Sequence, residues 1–328
     1  MKRAIAFAMV CATAYGPCAA RAGDCVMQDK TDRAERMTQA LIGGYGVQYW
    51  GQDYTAQGLA RQPHGLLVLE AAQTGALDSA DGREIFLDFA QVRDLQQDHA
   101  RPMLAYLNLS ELEPWRDYWQ GAPAVPSWSG ERTAQGEWLA RYWTDDWRRV
   151  LYARIDRLMA AGADGLFLDD ALHYYTYGSG GAEAEGLGAP QGAPAHAAAM
   201  MALVLDVISR MRQHDCAGLA VVNNAVFIGR DAGPAGVARF DQYRHELDAV
   251  VIEDAFGAAN HPDLHLALAE DYLSAGLPVL SLDFVPSPAA AGGLQADQIV
   301  ALAREKHYSP YIAPGLAFDR LAPPTATR

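Results

Sequence analysis

The sequence predicts a single (β/α)8 barrel, and three observations carry that expectation. Eight short apolar runs, rich in β-branched and aromatic residues, recur along the chain. Most are separated by segments of helical period, the alternation that builds a parallel sheet wrapped in helices. Nearly all end in a polar or acidic residue, where such barrels carry their chemistry. A chain of 328 residues, half of them apolar, can bury a core of this size.

Residues 1–22 read as a cleavable secretory signal. Lys2 and Arg3 precede an apolar stretch from Ala4 to Ala14, and Ala20-Arg21-Ala22 offers small residues for cleavage. That stretch is too short to anchor in a bilayer, and no later run reads as a membrane span. Residues 23–40 form a polar lead-in, and the barrel domain occupies 41–315. Its strands are expected at 46–50, 66–69, 103–109, 166–168, 219–222, 249–252, 279–282 and 308–312. The clearest helix runs over 144–161, where Trp147, Val150, Leu151, Ile155, Leu158 and Met159 share one face. Thr144 is placed to cap it, with Asp145 and Asp146 in the first turn. Asp81 and Glu84 suggest a capping box for a helix carrying Ile85, Phe86, Phe89 and Val92. Further helical faces fall at 200–211, 264–273 and 299–302. The Gly/Ala-rich stretch 178–195 reads as a loop over the rim, and 316–328 as a loose tail. No glycine fingerprint follows any strand, which argues against a doubly wound nucleotide-binding sheet.

The formal charge is −14, and loss of the signal, with Lys2, Arg3 and Arg21, lowers it by three more. An acidic surface argues against nucleic acid, whose binders are basic, and suits a cationic partner. Of four cysteines, Cys11 and Cys18 leave with the signal. Cys25 and Cys216 remain, and export would permit them to pair.

The strand ends give the candidate site. Read in order they supply Gln52 and Asp53, Glu70, Asn108 with Ser110 and Glu111, Asp169 and Asp170, Asn223 and Asn224, Glu253 and Asp254, and Asp283. Gathered carboxylates repel one another, so such a ring points to a ligand with many hydroxyls or to a hard cation. Glycosidic cleavage needs one carboxyl to protonate the leaving oxygen and another at the anomeric centre. Asp169 and Glu253, two βα units apart, fit those roles, with Asp170 and Asp254 in support. Six of the seven tryptophans lie between Trp115 and Trp147, and flat aromatic walls suit sugar faces. Trp115 and Trp128 are the first candidates there, with Tyr174 after the fourth strand. Two other readings remain open: a sugar-binding barrel without catalysis, and a metal-dependent hydrolase built on Asp169, Asp170 and His173. His64, His99 and His261 are expected in solvent.

The blocks YGVQYWGQDY, LLVLE, LAYLNLSELEPWRDYW, AAGADGLFLDD and VVIED follow one another over about 41–314. In this order and spacing they resemble glycoside hydrolase family 114, which contains secreted endo-α-1,4-polygalactosaminidases. The resemblance implies a (β/α)8 barrel that hydrolyses α-linked galactosamine-containing polysaccharide without a cofactor or metal. By motif it places the strand-four aspartate at Asp169 and the strand-six glutamate at Glu253, as nucleophile and acid/base of a retaining mechanism. It brings Tyr106 and Glu111 near the substrate. In such a mechanism Glu70, Glu111 and Asp283 would bind hydroxyls or the sugar ammonium, and Tyr49, Asp53, Asn108 and Asn223 are further expected to line the substrate site. The chain departs from the family pattern at Leu109-Ser110, where a small residue and a glycine are usual, so the local loop is expected to differ.

Overall fold

The computed structural model describes residues 27–325, apart from 52, 97–99, 121–125, 133–135, 137, 181, 183–187, 258–261 and 285–293. The expected signal, Cys25, Gln52, His99 and His261 lie outside the described residues, as does part of the 178–195 stretch. Cys216 is disulfide-bonded.

Eight strands form the central sheet: β1 (Tyr45–Gln48), β2 (Leu66–Leu69), β3 (Met103–Asn108), β4 (Gly165–Asp169), β5 (Leu219–Asn223), β6 (Ala249–Glu253), β7 (Val279–Phe284) and β8 (Ser309–Ala313). Each pairs in parallel with the next in sequence. Helices follow the strands, and across the seam between β8 and β1 the rings of Tyr45 and Tyr311 approach to 5.4 Å. The result is a nearly closed (β/α)8 barrel.

The two-residue period of each strand divides the core in two. Val47, Val68, Leu104, Tyr106, Phe167, Val221, Val251 and Leu282 fill the barrel interior. Leu67, Met103, Ala105, Leu166, Leu168, Val222, Val250 and Val279 pack outward against the helices. Counting two residues on from Tyr106, Phe167, Val221 and Val251 reaches Asn108, Asp169, Asn223 and Glu253. The interior phase therefore delivers four polar side chains to one rim.

The helix Asp145–Ala160 forms as its pattern requires. Thr144 Oγ1 accepts from Trp147 N at 3.4 Å, and Trp147, Leu151, Ile155 and Leu158 are buried. The helix Gly192–Arg212 is long and apolar enough to cross a membrane by composition, but its Met200, Met201, Val204, Val207 and Ile208 belong to the barrel's outer core.

Three expectations are corrected. The polar lead-in is a helix, Met27–Ile42, which closes the lower end of the barrel. Its Met37, Ala40 and Leu41 join the interior cluster. Its Arg33 pairs with Asp248 at 3.1 Å and its Arg36 with Asp164 at 2.5 Å, acids that immediately precede β6 and β4. Sparse apolar spacing hid this face among charges that prove to be its anchors.

The capping box at Asp81 and Glu84 is absent. Ile85–Phe86 is a short strand paired with Ala72–Thr74, the helix begins at Phe89, and Glu84 is buried against Arg116 and Arg154 at 3.0 and 2.7 Å.

The stretch read as a loose tail runs along the outside of β1. Phe318 O accepts from Tyr49 N at 2.8 Å, Ala322 O lies 2.9 Å from His64 Nε2, and Tyr311 OH accepts from Ala322 N at 3.0 Å. Gly46 faces this segment: a Cβ there would sit 2.6 Å from Leu321 Cδ2. His64 is consequently buried rather than solvated, and desolvation lowers its pKa to about 4.

Candidate active site

Three successive strands end in the same device. The pairs Asp169-Asp170, Asn223-Asn224 and Glu253-Asp254 each place the first residue at the strand tip. The second takes a left-handed backbone, with φ of 56°, 55° and 49°. Asn and Asp tolerate that conformation better than most residues. The chain thus turns away at once, and the first side chain is left standing over the barrel mouth.

Those three side chains meet. Asn223 Nδ2 donates to Asp169 Oδ1 at 2.9 Å and to Glu253 Oε1 at 2.5 Å. Both bonds leave one nitrogen, so the two oxygens lie no farther apart than the sum of those lengths. Asp170 N also donates to Asp169 Oδ1, at 2.8 Å. Burial, then the charge of Asp169, pushes the Glu253 carboxyl up to about 7, against the pull of the Asn223 hydrogen bond. Asp170 is raised well above the usual carboxylate range by burial, with Asp169 and Glu111 adding to it. The site thus holds carboxyls in unlike electrostatic surroundings, the arrangement that separates an acid from a base.

Tyr49 and Tyr106 form one wall, their ring centroids 4.9 Å apart. Both hydroxyls are held neutral well above 10 by burial and then by Asp169, with Glu253 contributing at Tyr49 and Asp170 at Tyr106. Asn108 organises the third-strand turn. Its Oδ1 accepts from Ser110 N and Glu111 N at 3.1 and 2.7 Å, while its Nδ2 donates to Asp170 Oδ2. Ser110 Oγ donates to Asp170 O at 2.5 Å. The Leu109-Ser110 departure thus ties the third-strand loop to the fourth, and Leu109 O accepts the Trp147 indole at 2.7 Å.

A profile of glycoside-hydrolase family GH114 matches residues 69–317. The chain belongs to that family. It is a glycoside hydrolase, and the paired carboxylates lie within the matched span. An uncharacterised protein of Deinococcus radiodurans is 27% identical over 265 residues, 74% of each chain. Among solved structures the fold is similar to that of Aspergillus fumigatus Ega3, crystallised in complex with galactosamine: TM-score 0.58, 13% identity, 87% of this chain and 96% of that one. It is also similar to the glycoside hydrolase domain of PelA from Pseudomonas aeruginosa, with TM-score 0.54, 17% identity, and 85% and 98% covered.

Not every residue expected at the mouth of this GH114 barrel is there. Trp128 is 7% exposed and packs with Tyr118, Trp119 and Trp147 at 5.4–5.8 Å. It is core. Tyr174 is likewise buried, its hydroxyl donating to Asp231 Oδ2 at 2.6 Å. Asp283 lies on the outward phase of β7, wholly buried, accepting from Phe256 N at 3.2 Å; burial raises its pKa to about 6. Asp53 is exposed in the turn before the helix Ala56–Ala60. Trp115 is half-buried under the Arg116 guanidinium, 4.0 Å from its ring centroid.

Glu70 is claimed by an ion cluster. Arg116 binds Glu70 at 2.8 Å and also grips Glu113, while Arg154 reaches Glu70 at 3.5 Å. Burial opposes ionisation of Glu70, yet the two arginines hold its carboxyl below the usual range. The sequence reading missed Glu113 and Arg116; the acid–base alternation of Glu111-Leu112-Glu113-Pro114-Trp115-Arg116 was the available signal. The metal reading named Asp169 with Asp170 and His173. The structure groups Asp170 and His173 with Glu111 instead, their ligand atoms within 4.8 Å of one another.

Proposed function

We propose that this protein is an exported retaining hydrolase of α-linked galactosamine-containing polysaccharide. The supporting observation is the single Asn223 amide that spans Asp169 and Glu253. The two oxygens it bridges are no more than 5.4 Å apart, the sum of 2.9 and 2.5 Å, and so close an approach favours the roughly 5–5.5 Å carboxyl spacing of retaining pairs over the ~6.5–9.5 Å of inverting ones.

In the first step an Asp169 oxygen attacks the anomeric carbon. The glycosidic C–O bond breaks as the Glu253 proton passes to the leaving oxygen. Water then attacks the same carbon, Glu253 takes its proton, and the Asp169 ester bond breaks. Glu253, with its pKa near 7, can carry a proton in the first step and accept one in the second. Asp254 and Glu111 add negative charge beside the pair that suits a sugar ammonium, Asp170 is held toward its neutral form as a hydrogen-bonding group, and Tyr49 and Tyr106 offer ring faces. The galactosamine bound to the structurally similar Ega3 supports this substrate class, and the signal-like pattern of residues 1–22 supports export.

The test is incubation of the mature protein with α-1,4-galactosamine polymers of graded acetylation, following products by NMR. Release of fragments whose new reducing ends first appear as the α anomer is expected. Polymer binding without any new reducing ends would instead establish a binding barrel. A β anomer would establish inversion.

A further inference from the structure

The family match ends at residue 317, yet the next residue reaches the catalytic wall. Four hydrogen bonds pin the segment around it to the tip of β1. Tyr49 N and Trp50 N donate to Phe318 O at 2.8 and 3.4 Å. The Trp50 indole donates to Ala317 O at 2.7 Å, and Gln48 Nε2 to Asp319 O at 3.2 Å. The approach is close enough that a Cβ at Gly51, itself at φ 125°, would lie 1.8 Å from Asp319 O. Phe318 has φ 47°, a backbone that a bulky residue adopts only where its surroundings enforce it. Its ring packs 4.9 Å from that of Tyr49 and 5.9 Å from that of Phe284. Tyr49 in turn packs on Tyr106.

We infer that Phe318 is a positioning residue of the active site: the C-terminal strap wedges its ring behind Tyr49 and sets the sugar-facing aromatic wall. The strap is therefore part of the catalytic apparatus. This rests on the proposed substrate only for its activity readout. Tyr49, held between two rings and beside both carboxylates, has little freedom while Phe318 is in place. Removing that ring opens space on one side, and Tyr49 can turn away from the pair.

The experiment compares Phe318→Ala, Phe318→Leu, Tyr49→Ala and the Phe318→Ala/Tyr49→Ala double variant. In the ligand-free protein, the ring carbon NMR signals of Tyr49 should shift and broaden in Phe318→Ala and return toward wild type in Phe318→Leu. On galactosamine polymer, Phe318→Ala should lose about tenfold in kcat/KM, while the double variant should be no worse than Tyr49→Ala, the non-additivity expected of side chains in contact. An unchanged Tyr49 signal, or full additivity of the two losses, overturns the inference. If the Tyr49 signal moves but wild type cleaves no such polymer, the positioning role stands and the substrate assignment falls. Should Phe318→Ala prove unfolded, Trp50→Phe, which removes the indole bond to Ala317, is read by the same NMR criterion.

Discussion

The proposed mechanism asks Glu253 to hold a proton at a pH where most carboxyls have lost theirs, and burial beside Asp169 favours this. Loss of that proton should give kcat/KM an alkaline limb near pH 7. Replacing Asp169 with Asn or Glu253 with Gln should lower turnover by about 10²–10⁴ or more with the fold intact, read by product release and circular dichroism. Asn223→Ala should move the limb to higher pH, because the lost hydrogen bond favours the charged form of Glu253. Stability carries the same signature. The folded pKa lies above the ordinary glutamate value of 4.5, so the folded state binds more protons and stability falls as pH rises from about 4.5 to about 7. Glu253→Gln removes that loss, which is on the order of 3 kcal/mol at full ionisation. Its melting temperature relative to wild type should therefore be higher at pH 8 than at pH 5. Asp169, Glu253 and Asn223 were legible because the strand period fixes which residue points inward. Trp128 and Tyr174 were misread because composition says that aromatics cluster but not which ring faces solvent. Arg116 and Arg154, which withdraw Glu70 from the mouth, come from distant segments that no local pattern connects.

At the scale of elements, the doubled polar residues that end β4, β5 and β6 divide their labour: the first stands at the mouth and the next turns the chain. Asn224 shows the second role. It sits at φ 55°, and its Oδ1 accepts from Glu253 N at 3.2 Å. Asn224→Val, a β-branched side chain in a left-handed position, should cost about 1–3 kcal/mol by denaturant melting, and Asn224→Gly appreciably less. The eight barrel strands were readable to within two residues at each end because runs buried on both faces are nearly unbroken in apolar character. The helix Met27–Ile42 was not, since Arg33 and Arg36 look solvated until Asp248 and Asp164 are seen beneath them. Such residues gain meaning only in the closed barrel.

The molecule as a whole carries a formal charge of −14, with Glu111 and Asp254 adding to it beside the carboxylate pair. If its polymer is cationic, this field should gather substrate at low ionic strength and be screened as salt rises. Cleavage of deacetylated galactosamine polymer should accordingly lose kcat/KM between about 20 and 500 mM salt, the Debye length shrinking to a few ångströms over that range. Fully acetylated polymer should show little change. Equal salt dependence for both polymers would remove charge attraction from the account.

The two ends of the barrel have been given opposite trades. Lys30, Arg33 and Arg36 bind at Leu247, Asp248 and Asp164, all at the strands' starting edge, whereas the carboxylate pair stands at their finishing edge. A tag or surface linkage joined ahead of Met27 therefore emerges on the far side from the chemistry. Immobilised by that terminus, the enzyme would present its open cup outward to a matrix too large to diffuse.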